Sequence, residues 1–124
     1  MNDEKKVNPR VIKIDTGDAI IIEGSSDDKI YFLKRGELGV YKTNYGLEKQ
    51  IATIKAGEIF GEMAFVVQGP RTATVRAVAS SEILIVTPQS FERALNEQPE
   101  WLQKFIATLI KRIQDTNEAA LKKN

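Results

Sequence analysis

Cysteine and histidine are both absent from this chain of 124 residues, and the two absences exclude much chemistry. Without them there is no Cys–His or Ser–His–Asp arrangement, no zinc site of the usual ligands, no haem anchor and no disulfide framework. A β-barrel enzyme that holds its metal through histidines is excluded on the same ground. An excess of one charge is lacking too. Lys+Arg 18 stand against Asp+Glu 17, a balance unsuited to a chain whose main task is to neutralise a phosphate backbone. No apolar run approaches the roughly 18–20 residues that span a bilayer. The start, Met1-Asn2-Asp3-Glu4-Lys5-Lys6, lacks the apolar core of a secretory signal. Together these predict a cytoplasmic protein with no membrane span, and the missing cysteine suits a reducing compartment.

What is present divides into two textures after a short N-terminal segment, residues 1–10. Residues 11–87 are dense in Ile, Val, Thr, Tyr and Phe, with turn residues every few positions. Residues 88–124 lose glycine and turn to Leu, Ile, Lys, Glu, Gln and Ala. The length makes one domain with room for a real core. Short β-branched runs stand at Val11–Ile14, Ala19–Ile22, Ile30–Leu33, Leu38–Tyr41, Gln50–Ile54, Thr74–Val78 and Ile83–Val86. Their spacing, with Gly, Asp, Asn and Ser between them, predicts a sandwich or barrel of antiparallel strands. Asn44-Tyr45-Gly46 reads as a hairpin tip with Gly46 supplying the positive φ.

The second texture predicts two helices. Thr87 is placed to cap the first and Pro88 to open it, while Pro99 ends it and opens the next. From Trp101 onward Leu102, Phe105, Ile106, Leu109, Ile110 and Ile113 recur at helical spacing. Two readings of that stripe stay open. It covers the barrel, or it caps a bound ligand and packs on a second copy, with Ile113, Asn117 and Leu121 extending the seam.

One stretch, residues 57–75, fits neither texture. It holds Gly57-Glu58, then Phe60-Gly61-Glu62-Met63-Ala64, a Gly69-Pro70 break and Arg71-Thr72-Ala73-Thr74-Val75. Gly61 lets the chain bend into a one- or two-turn helix whose first N–H groups point outward, an arrangement suited to an anion. Arg71 can offer a planar fork to the same anion. Glu62, an acceptor beside a phosphate site, suits a sugar hydroxyl better than a second phosphate. Each residue alone is ordinary: an acid at a helix start favours the dipole, and an Arg before a strand commonly pairs on the surface. The set within fifteen residues is what points to a ligand.

The stretch from Phe60 to Val75 resembles the phosphate-binding cassette of cyclic nucleotide-binding domains. Gly17-Asp18, Glu23-Gly24, Tyr31-Phe32-Leu33-Lys34-Arg35-Gly36 and Gly57-Glu58 follow the same family's framework. The resemblance implies a mainly β fold, an eight-stranded antiparallel jelly-roll barrel (double-stranded β-helix) followed by two α-helices. It implies that Arg71 pairs with a cyclic phosphate and that Glu62 accepts from the ribose 2′-hydroxyl. Backbone N–H groups around Gly61, Met63 and Ala64 would hold oxygens, and Thr72 would lie beside phosphate and base, followed by Ala73. Val40, Phe60 and Met63 would be apolar walls.

The function so implied is a regulatory sensor of a cyclic nucleoside monophosphate, cyclic AMP favoured over cyclic GMP, that changes its C-terminal helices on binding and signals to an effector protein. A weak homodimer through the last helix goes with it. No cofactor, metal or catalytic residue is expected. Acid pairs such as Asp27-Asp28, or Glu58 with Glu62, read as solvated loop acids rather than as an enzyme's pair. In bacterial regulators of the family a helix-turn-helix follows the long helix; here one helix follows Pro99, and no direct sequence-specific DNA binding is expected. The competing reading is a jelly-roll interaction module whose pocket is lost or repurposed.

Overall fold

The structure, a computed structural model, describes residues 9–122, with side chains described up to residue 118. Most of the N-terminal segment 1–10, and the side chain of Leu121, lie outside the described residues. Eight strands are present: β1 Arg10–Ile14, β2 Ala19–Ile21, β3 Ile30–Arg35, β4 Glu37–Asn44, β5 Leu47–Lys55, β6 Ile59–Phe60, β7 Thr74–Ala77 and β8 Ser81–Val86. They form two four-stranded sheets, ordered β1-β8-β3-β6 and β2-β7-β4-β5. Every pairing is antiparallel. The fold is the expected jelly-roll. β6 is the strand that residue patterning does not reveal, because two residues inside the Gly57–Val75 segment carry no periodicity of their own.

Period-two alternation sets the core. In β8 Ser81, Ile83 and Ile85 face inward, and in β3 Tyr31 and Leu33 do so. Leu33, Leu38 and Ile83 are fully sealed from solvent. Each such side chain contributes on the order of 1.5–3 kcal/mol through burial. Tyr31 pairs with Phe60 across β3 and β6, and their rings stack with centroids 5.2 Å apart. This stack fixes β6, and with it the start of the cassette, against the sheet.

The β4–β5 hairpin closes between Asn44 and Leu47. Both loop residues have positive φ, Tyr45 at 52° and Gly46 at 78°. A two-residue turn matching the twist of the strands requires this at both positions, so the glycine is not alone in supplying it.

Among the described residues are three helices, α1 Glu62–Val67 between β6 and β7, then α2 Pro88–Asn96 and α3 Glu100–Lys122 after β8. The Thr87 side chain caps α2 by accepting from the Ser90 N–H at 3.1 Å, with Pro88 in the first turn. Pro99 separates α2 from α3 and its carbonyl accepts from the Leu102 and Gln103 N–H groups. The apolar stripe of α3 does not simply cover the barrel. Leu102, Ile106 and Ile110 are half-buried, while Trp101 is 69% exposed, Phe105 56%, Leu109 42% and Ile113 40%. Further along, Ile113 is among the exposed set and Asn117 lines the ligand-sized cavity described below. No helix among the described residues is long and apolar enough to cross a membrane.

Candidate functional site

A cavity of about 370 Å³ opens between the β2-β7-β4-β5 sheet, α1 and one end of α3. Its size falls in the range of small-ligand sites, roughly 300–1,000 Å³. Phe60, Gly61, Glu62, Met63, Ala64, Arg71, Thr72, Ala73 and Val40, all singled out from the sequence, line it together. Ile21, Ile54 and Val75 add apolar wall, and Asn117 enters from α3.

The cassette bends at Gly61, whose φ of +76° and ψ of 4° place it in the left-handed region at the cap of α1. A side chain here would fail on space as well as on φ. A Cβ would stand 2.9 Å from Arg71 Nη1 and 3.0 Å from Tyr31 Cδ2. No side chain among the described residues caps α1. Its first-turn N–H groups therefore remain as donors, and Glu62 sits exposed in that first turn. The far end of the cassette is strained. Gln68 adopts φ 60°, ψ 140°, a region glycine favours, with its N–H on the Ala64 carbonyl at 3.1 Å.

Arg71 is only 6% exposed and is gripped from every side. Its backbone N–H donates to the Ser25 carbonyl at 2.9 Å, and its carbonyl accepts from the Gly24 N–H at 2.8 Å. In the side chain, Nη1 donates to the Gly61 carbonyl and Nη2 to the Lys29 carbonyl, both at 2.7 Å. Nη2 also lies 3.2 Å from Asp27 Oδ2. The guanidinium sits over the Tyr31 ring, 5.7 Å from its centroid. The free planar fork expected from the sequence is thus not free: both terminal nitrogens hold protein oxygens. Its Nε is buried with no hydrogen-bond partner among the described residues. A buried N–H without an acceptor costs about 1–3 kcal/mol.

Asp27 departs from its reading as a solvated acid. It is half-buried and accepts from the Tyr31 hydroxyl and the Lys29 N–H, whereas Asp28 is exposed. Burial alone would raise its pKa. The hydrogen bonds from Tyr31 and Lys29, helped by the charges of Arg71 and Lys29, outweigh burial and hold the carboxyl below its ordinary value. Burial and the bond to Asp27 push the Tyr31 hydroxyl well above its ordinary range. Sequence reasoning missed Asp27, Tyr31 and Lys29 because their partner lies some forty positions away. It also missed Asn117, for which no local signal existed. Glu58 turns back to accept from the Lys55 N–H, while Glu62 stands exposed in the first turn of α1.

An anion in the cavity would meet a cation already oriented by protein oxygens, the open first turn of a helix, and apolar walls for a flat body. Residues 11–98 match the cyclic nucleotide-binding domain. The chain is 35% identical over 82 residues to a cAMP-dependent protein kinase regulatory subunit of Yarrowia lipolytica, covering 66% of this chain and 21% of that protein. The fold is similar to a halfsite-occupied form of the EAL enzyme Bd1971, with TM-score 0.82 and 30% identity over 87% of this chain and 97% of that one. It is also similar to the same enzyme's cAMP-bound form, with TM-score 0.62 and 30% identity over 92% of this chain and 30% of that one. The chain spans only about a fifth of the length of the kinase regulatory subunits it matches.

Proposed function

The chain belongs to the cyclic nucleotide-binding domain family, and we propose that it binds a 3′,5′-cyclic nucleoside monophosphate, cyclic AMP before cyclic GMP, as a regulatory sensor. The observation that carries this reading is a cavity of about 370 Å³ lined by the helix start at Gly61 and by Arg71, whose buried Nε–H has no partner among the described residues. A cyclic phosphate carries one negative charge and needs few but well-aimed donors. The Arg71 Nε–H and the first-turn N–H groups of α1 supply them. Glu62 is placed to accept from the ribose 2′-hydroxyl, and Val40, Phe60 and Met63 flank the sugar and base. Thr72, exposed beside Arg71, offers a hydroxyl that either purine can use. The protein binds its nucleotide without turning it over, in the cytoplasm, and passes the signal to an effector protein rather than to DNA.

The signal leaves through α3. Its Gln114 Nε2 donates to the Val66 carbonyl of α1 at 2.8 Å, so movement of the cassette on binding reaches the long helix directly. Trp101, Phe105, Leu109 and Ile113 remain exposed along α3 for a second copy. Four partly exposed side chains per helix remove well under the roughly 800 Å² per partner of a standard interface, so the dimer is weak.

Calorimetric titration with cyclic AMP and cyclic GMP tests the core of the reading. Saturable binding of either, lost in Arg71→Ala, is the expected result. No binding of either nucleotide would favour the interaction module with a repurposed pocket. Incubation with cyclic AMP should yield no linear monophosphate. Amide spectra of residues 110–118 should shift on saturation, and sedimentation should show association that rises with protein concentration.

A further inference from the structure

We propose that Lys42 and Lys49 form a cationic rim on the cavity that captures the phosphate of an incoming cyclic nucleotide; this rests on the cyclic nucleotide reading above. Val40 lines the cavity, and side chains alternate along β4, so Lys42 faces the same side two residues nearer the hairpin tip. The extra residue of the β4–β5 ladder, Ile51, lies in β5, so the alternation of β4 is unbroken. Lys42 Nζ donates to the carbonyl of Thr72 at 3.2 Å, which sets its ammonium beside the residue that follows Arg71 in the cavity wall. Lys49 is the register partner of Lys42, so the two share one face of the hairpin.

Like charges directly opposed across a strand pair weaken it. Among the described residues neither lysine forms an ion pair that would offset this. Two neighbouring acids are engaged elsewhere: Glu48 is held by Arg76 at 2.9 Å, and Glu23 accepts from the Thr43 N–H at 3.0 Å. Both lysines are exposed, so their charge acts through solvent and salt screens it. Arg71, by contrast, is buried, and a ligand meets it only after entry. An exposed pair of cations raises the local concentration of a monoanion at the mouth and speeds its capture, while the buried donors hold it afterwards. Lys42 also restrains the Thr72 carbonyl, so it serves both steps and Lys49 only the first.

The test is stopped-flow binding of cyclic AMP, carrying a fluorescent tag on its base, to the full chain and to Lys42→Gln, Lys49→Gln and their double variant. The control is a second double variant, Lys13→Gln with Lys34→Gln, which makes the same change in net charge on β1 and β3 of the other sheet. At about 0.02 M salt the rim double variant should associate about five- to tenfold more slowly than the parent, a gap that closes to about twofold or less at about 0.5 M. The control should stay within about twofold of the parent at both. Lys49→Gln should leave dissociation unchanged and melt no lower than the parent, since it relieves a pair of like charges. Lys42→Gln should also speed dissociation at both salt concentrations, because Thr72 loses its restraint. Association of the rim double variant at the control's rate in low salt overturns the rim while leaving the binding function intact. Failure of the unaltered protein to bind the nucleotide overturns the binding reading itself, and the rim with it.

Discussion

The Tyr31 hydroxyl donates to Oδ2 of Asp27, the same oxygen that faces Nη2 of Arg71 at 3.2 Å. One carboxylate oxygen therefore orients both the aromatic floor and the cation above it, and three side chains from two separate stretches behave as a unit. Tyr31→Phe removes one hydrogen bond and should lower stability by about 1 kcal/mol. Asp27→Asn keeps the shape, leaves the buried Arg71 without its counter-charge and should cost more. The double variant should fall short of the sum, because both changes act on one network. Urea unfolding of the three variants measures this, and strict additivity would argue that the groups are independent.

The pH dependence follows from the same group. Asp27 titrates below its ordinary 3.8, so its contribution to stability is complete above about pH 4 and is lost as the pH falls through the lowered value. Tyr31 titrates above its ordinary 10.0, so its contribution is complete below pH 10 and is lost as the pH rises beyond it. The stability difference between the parent and Asp27→Asn should shrink on the acid side. That between the parent and Tyr31→Phe should shrink on the alkaline side. Denaturant midpoints recorded from pH 3 to 11 check both signs.

On the proposed function Arg71 serves ligand affinity as well as structure, and substitutions separate the two. Arg71→Ala strands the phosphate and removes a buried pair, at about 2–5 kcal/mol, or on the order of 30- to several-thousand-fold in affinity. Arg71→Lys keeps the charge but cannot reach Gly61, Lys29 and Asp27 at once, so binding should fall at least about tenfold with less loss of stability. Glu62→Ala, at an exposed position, should cost less, about 1–3 kcal/mol of binding through an unpaired ribose hydroxyl, with unfolding unchanged. Equal affinity of Arg71→Ala and the parent would remove the phosphate from this place.

Two backbone substitutions in the cassette should move stability in opposite directions. Gly61→Ala forces a Cβ into contact with Arg71 and Tyr31 at a φ of +76° and should destabilise by about 1–3 kcal/mol while weakening binding. Gln68→Gly places glycine where its freedom suits φ 60° and should stabilise by about 1 kcal/mol. Thermal melts with and without cyclic AMP read both.

Much of the fold is written in short range. The β-branched runs, the cap at Thr87 and the break at Pro99 each declare an element through neighbours within a few positions. The cassette residues are close in sequence for a physical reason: a helix start, its glycine and the following strand are contiguous pieces of one cavity wall. β6 escapes because its only signal is the Tyr31–Phe60 stack, a contact across twenty-nine positions.

The choice of partners was decided elsewhere. Asp27 and Asp28 are chemically identical neighbours, and only the path of the loop into β3 turns one toward Arg71 and the other to water. Phe105 and Ile106 are equally apolar, and only the seat of α3 on α1 leaves the first open while half-burying the second. Sequence by itself determined strand pattern, caps and the chemistry available at residues 57–75, because those depend on local backbone geometry and residue type. Tertiary structure alone decided that Arg71 is clamped with its Nε unpaired and that Asn117 reaches the cavity, because those depend on distances between segments that periodicity does not encode.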